Sequence, residues 1–134
     1  MTYREQLVEQ YKIAGKAFLD VKEAYESATT NYNEIASGHI KAPLVDHIRG
    51  SMAYNYKNAK KQKVIADAAQ SQGLCLLISD NNSTNNGILK EITEYAKKCA
   101  LHLVEFEYLL EENMKELQAI IVSSDDTSKK LRFN

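Results

Sequence analysis

The sequence predicts an all-α fold: an elongated antiparallel three-helix bundle with long coiled-coil-like helices at about 2–36, 43–79 and 87–122. Three observations lead there. Apolar residues recur at alternating spacings of four and three along three segments of similar length, and such a stripe needs a partner helix along its whole extent. Helix breakers are scarce, with one proline and five glycines in 134 residues, which favours long helices over many short strands joined by turns. Two short turn-forming stretches divide the chain into three pieces. At this length the chain makes one domain, and a bundle of this size can bury enough surface to fold without a disulfide or a metal. The expected organisation is a bundle over 1–122 followed by a polar tail over 123–134.

The first helix carries the stripe Leu7, Tyr11, Ala14, Phe18, Val21, Tyr25, Ala28, Tyr32 and Ile35. Thr2 followed by Glu5 matches a capping box, in which each side chain can satisfy a backbone N–H at the other end of the first turn. Ser37 and Gly38 supply the stop, with Gly38 suited to the left-handed position beyond a helix C-terminus.

The second helix starts at Pro43, whose fixed φ and missing N–H suit a first helical turn. Its stripe is thinner: Val45, Ile48, Met52, Asn55, Ala59, Gln62, Ala66, Ala69, Gly73 and Leu76. Small residues allow a close approach, while Asn55 and Gln62 leave the seam under-packed unless Tyr56 or other tyrosines fill it. Gly73 is a candidate terminus. Stopping there would strand the apolar run LCLLI (74–78) in a long connection, so the preferred end is near Ser79. Residues 80–87 (DNNSTNNG) then form the turn.

The third helix carries Leu89, Ile92, Ala96, Cys99, Leu103, Phe106, Leu110, Asn113, Leu117 and Ile120. Between Cys99 and Leu110 the apolar residues spread beyond the stripe to Ala100, Leu101, Val104, Tyr108 and Leu109. A helix apolar around so much of its circumference has either a central place or a second partner.

Charge separates by helix. Within an overall net charge of −1, the second helix is basic and the other two acidic, a distribution that favours the intended pairing over alternatives. The basic run Lys57, Lys60, Lys61 and Lys63 is the candidate for binding nucleic acid. It ranks second, because the chain as a whole is weakly acidic and poor in arginine.

Chemistry-bearing patterns are sparse. His39, His47 and His102 form no HxH, HxxxH or Cys/His grouping at metal-ligand spacing, and no Glu-x-x-His pair suits a di-iron bundle. The expectation is no metal and no cofactor. No serine or cysteine stands in a nucleophile–base–orienter pattern, and no glycine-rich phosphate loop is present, so the expectation is a non-enzyme. Cys75 and Cys99 both lie in apolar surroundings and read as buried thiols in a reducing compartment, with a disulfide between them left open. The charged N-terminal stretch does not resemble a signal peptide, and the longest apolar run falls far short of a membrane span. A cytoplasmic protein is expected.

The functional reading is therefore a non-enzymatic protein–protein interaction module: an adaptor, an inhibitor or an accessory subunit of a larger assembly. The residues expected to meet the partner chain are Leu101, Val104, Tyr108, Leu109 and Ile121. A homodimer is one form this could take, since apolar residues are in excess around 100–109 and 119–122. The second alternative is a small-ligand or enzymatic bundle, with a site in a loose middle joining Asn55 to His102 or Asn113.

Overall fold

The computed structural model describes residues 2–38, 42–80, 85–113 and 115. Three helices account for nearly all of them: α1 (Tyr3–Ala36), α2 (Ala42–Asp80) and α3 (Asn86–Tyr108), the last continued by a π-helical turn at Leu109–Asn113. Each helix packs against the other two, and no strand occurs among the described residues. The bundle and its up-down-up path agree with the sequence expectation.

The helix ends follow from local chemistry. Thr2 Oγ1 accepts from the Glu5 N–H at 3.1 Å, the first half of the capping box. At the other end of α1, the Ser37 N–H bonds the Asn33 carbonyl and the Gly38 N–H the Ile35 carbonyl. Gly38 has φ +78°, a left-handed conformation that glycine adopts without a Cβ penalty. Helix α2 runs without interruption through Gly73 to Asp80. Gly73 is buried, and a Cβ there would lie 3.2 Å from Leu89 Cδ1, 3.3 Å from Leu7 Cδ1 and 3.4 Å from Ile92 Cδ1. This glycine therefore makes room for three methyl groups inside a continuous helix. The expected stretch of helix 3 from 116 to 122, the tail over 123–134, His39 and Ile121 lie outside the described residues.

Three stacked clusters form the core. One end holds Ala28 and Ile35 of α1, Val45 and Met52 of α2, and Phe106 with Leu109. The middle holds Ala17, Val21, Ala59, Ala66, Ala96, Cys99 and Leu103. The far end holds Leu7, Ala14, Ala69, Leu76 and Ile92. Leu7 thus meets the end of α2 and the start of α3, so α1 runs antiparallel to α2 and parallel to α3.

Within the α1 stripe the two alternating positions differ. Leu7, Ala14, Val21, Ala28 and Ile35 are buried, whereas Tyr11, Phe18, Tyr25 and Tyr32 are half-buried. Tyr11, Phe18 and Tyr25 turn their rings towards α3. A continuous row results, Tyr11–Tyr95–Phe18–His102–Tyr25–Phe106–Tyr56, with successive centroids 5.5, 5.4, 5.8, 5.6, 6.2 and 5.2 Å apart. All but one of these pairs are tilted, a preferred arrangement for ring quadrupoles. The α1–α2 side is lined instead by alanines. Asn55 and Gln62 are not central there. They flank buried Ala59 and share a shallow 290 Å³ cleft with Asp20, Ala24, Asn58 and Lys61. Tyr56 does not fill that gap, because it turns to Phe106 of α3.

Candidate functional site

The spacing of α3 decides which of the expected partner-binding residues are available. Ile92, Cys99 and Phe106 are fully buried at seven-residue intervals and define the inward line of the helix. Leu101, Val104 and Tyr108 fall on the opposite side and are 64%, 65% and 60% exposed. They are spaced three and four apart, so their side chains follow one another along a single outward stripe.

Leu109 does not belong to that stripe. It is 6% exposed and packs in the core cluster of Ala28, Met52 and Phe106. The reason lies in its spacing: Tyr95, His102 and Leu109 are seven apart and share the flank of α3 that faces α1. The expectation that Leu109 contacts a partner is corrected accordingly.

The ends of the outward stripe are charged. Lys97 pairs with Glu94 at 3.8 Å on the N-terminal side, and Glu111 and Lys115 are exposed on the C-terminal side. No large apolar side chain other than Leu19 and Tyr3 is exposed on α1, so the outer surface of that helix is mainly charged.

A second apolar surface, on α2, escaped the reading of the sequence. Val64 and Ile78 are 66% and 68% exposed, and Leu74 and Ile65 are also exposed. Val64, Ala68, Ser71, Cys75 and Ile78 repeat at four and three on the outside of the helix. This second heptad, out of phase with the core stripe, was the signal that could have found it.

The basic run of α2 splits in the folded chain. Lys57, Lys60 and Lys61 are exposed. Lys60 lies over the Tyr56 ring, 5.5 Å from its centroid. Lys63 is held by Asp67 at 2.7 Å, one helical turn away. The four ammonium groups therefore do not present one uniform face.

Cys99, Tyr56 and Tyr11 are each shifted towards the protonated form. Burial, reinforced by Asp67 and partly opposed by Lys63, pushes the Cys99 thiol up to about 11. It stays protonated at neutral pH and behaves as a small hydrophobe. The expectation that Cys75 is buried is corrected: it is exposed on the outside of α2, and no disulfide joins it to Cys99. Burial, then the Glu107 carboxylate, raises the Tyr56 hydroxyl above its ordinary value. Tyr11 is raised first by its hydrogen bond to Tyr95, with an O–O distance of 3.4 Å, and by the nearby Glu91.

His102 is half-buried between Phe18 and Tyr25, and its Nδ1 is buried without a hydrogen-bond partner. His47 is exposed near the start of α2. Among the described residues, no three His, Cys, Asp or Glu side chains converge as metal ligands. Asn55 lies on the α1–α2 side and His102 on the α1–α3 side, so the structure does not bring them together. The Asn113 side chain lies outside what is described.

Two other surface clefts accompany the one beside Asn55. One of 430 Å³ is lined by Glu23, Glu26, Ser27, Thr30 and Asn31 of α1. One of 290 Å³ lies between α1 and α3, lined by Tyr11, Glu91, Glu94, Tyr95 and Lys98. No described helix is long and apolar enough to cross a membrane. Comparison of the chain with protein-family models, with curated proteins and with solved structures finds no match.

Proposed function

We propose that this chain is a non-enzymatic protein–protein interaction module that holds a partner chain against the outward face of α3. One observation carries the reading. Leu101, Val104 and Tyr108 stand outside a core that is already closed by Cys99, Leu103 and Phe106 on the same helix. They add nothing to the bundle, and a contiguous exposed apolar stripe with a charged rim is how helical surfaces receive a partner. Such a module would serve as an adaptor, an inhibitor or an accessory subunit, in a cytoplasmic setting where the exposed Cys75 thiol stays reduced.

The test is a comparative capture from the native host, using wild-type chain and Val104→Glu as baits. A substitution at so exposed a position changes stability by no more than about 0.5 kcal/mol. The expected result is a partner retained by the wild type and lost by the variant, with the two baits equally helical. Identical captured sets would refute the assignment of this face.

A further inference from the structure

We propose that the outward face of α2 is a docking surface for an acidic amphipathic helix of another protein. It is independent of the reading of α3, because a different helix and different side chains form it.

The buried residues Met52, Ala59, Ala66 and Gly73 recur at seven-residue intervals and fix the inward direction of α2. On the opposite side an exposed line begins with Tyr54, Lys57 and Lys61. It goes on through Val64, Ala68, Ser71, Cys75 and Ile78, all exposed. The steps alternate three and four without a break, so the line keeps one outward course for about 36 Å at about 1.5 Å per residue. Such a line is the pattern of a helix–helix seam, yet the core of the bundle lies on the other side.

The chemistry of the line specifies its occupant. Its C-terminal half is apolar apart from Ser71, and Ile65 and Leu74 stand exposed on either flank. Ala68 and Ser71, at the middle of that half, are small and let a second helix come close. The N-terminal half is cationic: Lys57 and Lys61 lie on the line and Lys60 beside it, all exposed. From Gly50 to Ile78 the only acid is Asp67, and Lys63 holds it at 2.7 Å. A helix that complements both halves carries an apolar stripe and, at the end meeting Lys57 and Lys61, carboxylates. The α2 face of a second copy offers only the same lysines and the one carboxylate already held by Lys63. A nucleic-acid strand would use the lysines and leave the apolar half uncovered. A bilayer surface is favoured by broad faces of Leu, Phe and Trp, not by a narrow line with Ala68 and Ser71 in it.

The probe is a synthetic amphipathic helix of about 25 residues, the span of the line, with a leucine–alanine seam flanked by glutamates. A control peptide carries lysines in their place. Fluorescence anisotropy of each labelled peptide with the full chain measures binding. The glutamate peptide should bind with a Kd on the order of tens of micromolar, and more weakly as salt is raised. The lysine peptide should not bind. Lys57→Glu combined with Lys61→Glu should weaken the glutamate peptide about tenfold or more and gain binding to the lysine peptide, a reversal that a change in folding cannot produce. Val64→Gln should weaken the glutamate peptide about threefold or more with no change of charge. Equal binding of the two peptides, or binding of neither, overturns the proposal. Loss of the glutamate peptide in Val104→Glu overturns it too, by placing the peptide on α3. If neither peptide binds, cosedimentation with vesicles of equal parts phosphatidylcholine and phosphatidylserine assigns the face to a bilayer. Self-association that Val64→Gln abolishes assigns it to a second copy.

Discussion

Substituting alanine for the two glycines inside α2 separates local helix preference from packing. Gly50 and Gly73 occupy the same helix, so Gly→Ala raises helix propensity at both by about 1 kcal/mol. Their surroundings differ. A Cβ at Gly50 meets nothing within 4 Å, whereas at Gly73 it meets the Cδ1 atoms of Leu89, Leu7 and Ile92 at 3.2–3.4 Å. Each of those methyls ends a flexible side chain, but Leu7 and Ile92 are 1% and 0% exposed. Their displacement is passed to the rest of that end of the core. Overpacking of this kind costs about 1–3 kcal/mol. Gly50→Ala should therefore stabilise by about 1 kcal/mol, and Gly73→Ala should come out between neutral and about 2 kcal/mol destabilised. Urea unfolding followed by far-UV circular dichroism measures both, and unchanged slopes would show that the difference lies in the folded state. If Gly73→Ala were as stabilising as Gly50→Ala, the junction of Leu7, Gly73 and Ile92 would not be closed, and the packing of this end of the bundle would be wrong.

Four further outcomes are expected. In native protein, a thiol reagent should modify Cys75 quickly and Cys99 only on unfolding, and equal rates at neutral pH would contradict the burial of Cys99. Because the Cys99 pKa rises from 9.0 to about 11 on folding, the folded state holds this proton more tightly than the unfolded one; the contribution is intact below pH 9 and is lost as pH rises towards 11, by at most about 3 kcal/mol, which alkaline urea titrations of wild type and Cys99→Ala would compare. Phe106→Ala removes a fully buried ring that touches both Tyr25 and Tyr56 and should destabilise by about 3–5 kcal/mol, whereas a loss below about 1 kcal/mol would place the ring at the surface. Thr2→Ala deletes the acceptor for the Glu5 N–H and should cost about 1 kcal/mol in the same assay, while Thr2→Ser should cost little.

Much of the bundle was legible in the residues. The seven-residue recurrence of Leu7, Ala14, Val21, Ala28 and Ile35 identifies the buried line of α1, because only residues at that interval return to one face of a long packed helix. The continuation of α2 through Gly73 followed from the cost of leaving LCLLI in a loop, and the observed helix reaches Asp80. The outward position of Leu101, Val104 and Tyr108 was also within reach, since none falls on the core stripe. Leu109 was misplaced because apolar character was read as spare surface, although its distance from Tyr95 and His102 already set it on a packed flank. The α2 stripe from Val64 to Ile78 was missed because attention to the core heptad hid a second heptad out of phase with it.

By itself, the sequence determined the number of helices, the ends of the first two, the start of the third and the line along each that turns inward. These depend on periodicity, capping residues and turn chemistry, which act over a few neighbours. Only the tertiary structure decided what each flank of those lines would meet. A heptad stripe has two flanks, and which one faces which neighbour depends on how the three helices are arranged around one another, a choice that local spacing does not encode. That arrangement places Phe18 and Tyr25 of α1 against His102, and Tyr25 also against Phe106, on α3. It also buries Leu109 while Leu101, Val104 and Tyr108 remain exposed. The candidate partner surface is what remains of α3 once both of its flanks have been used.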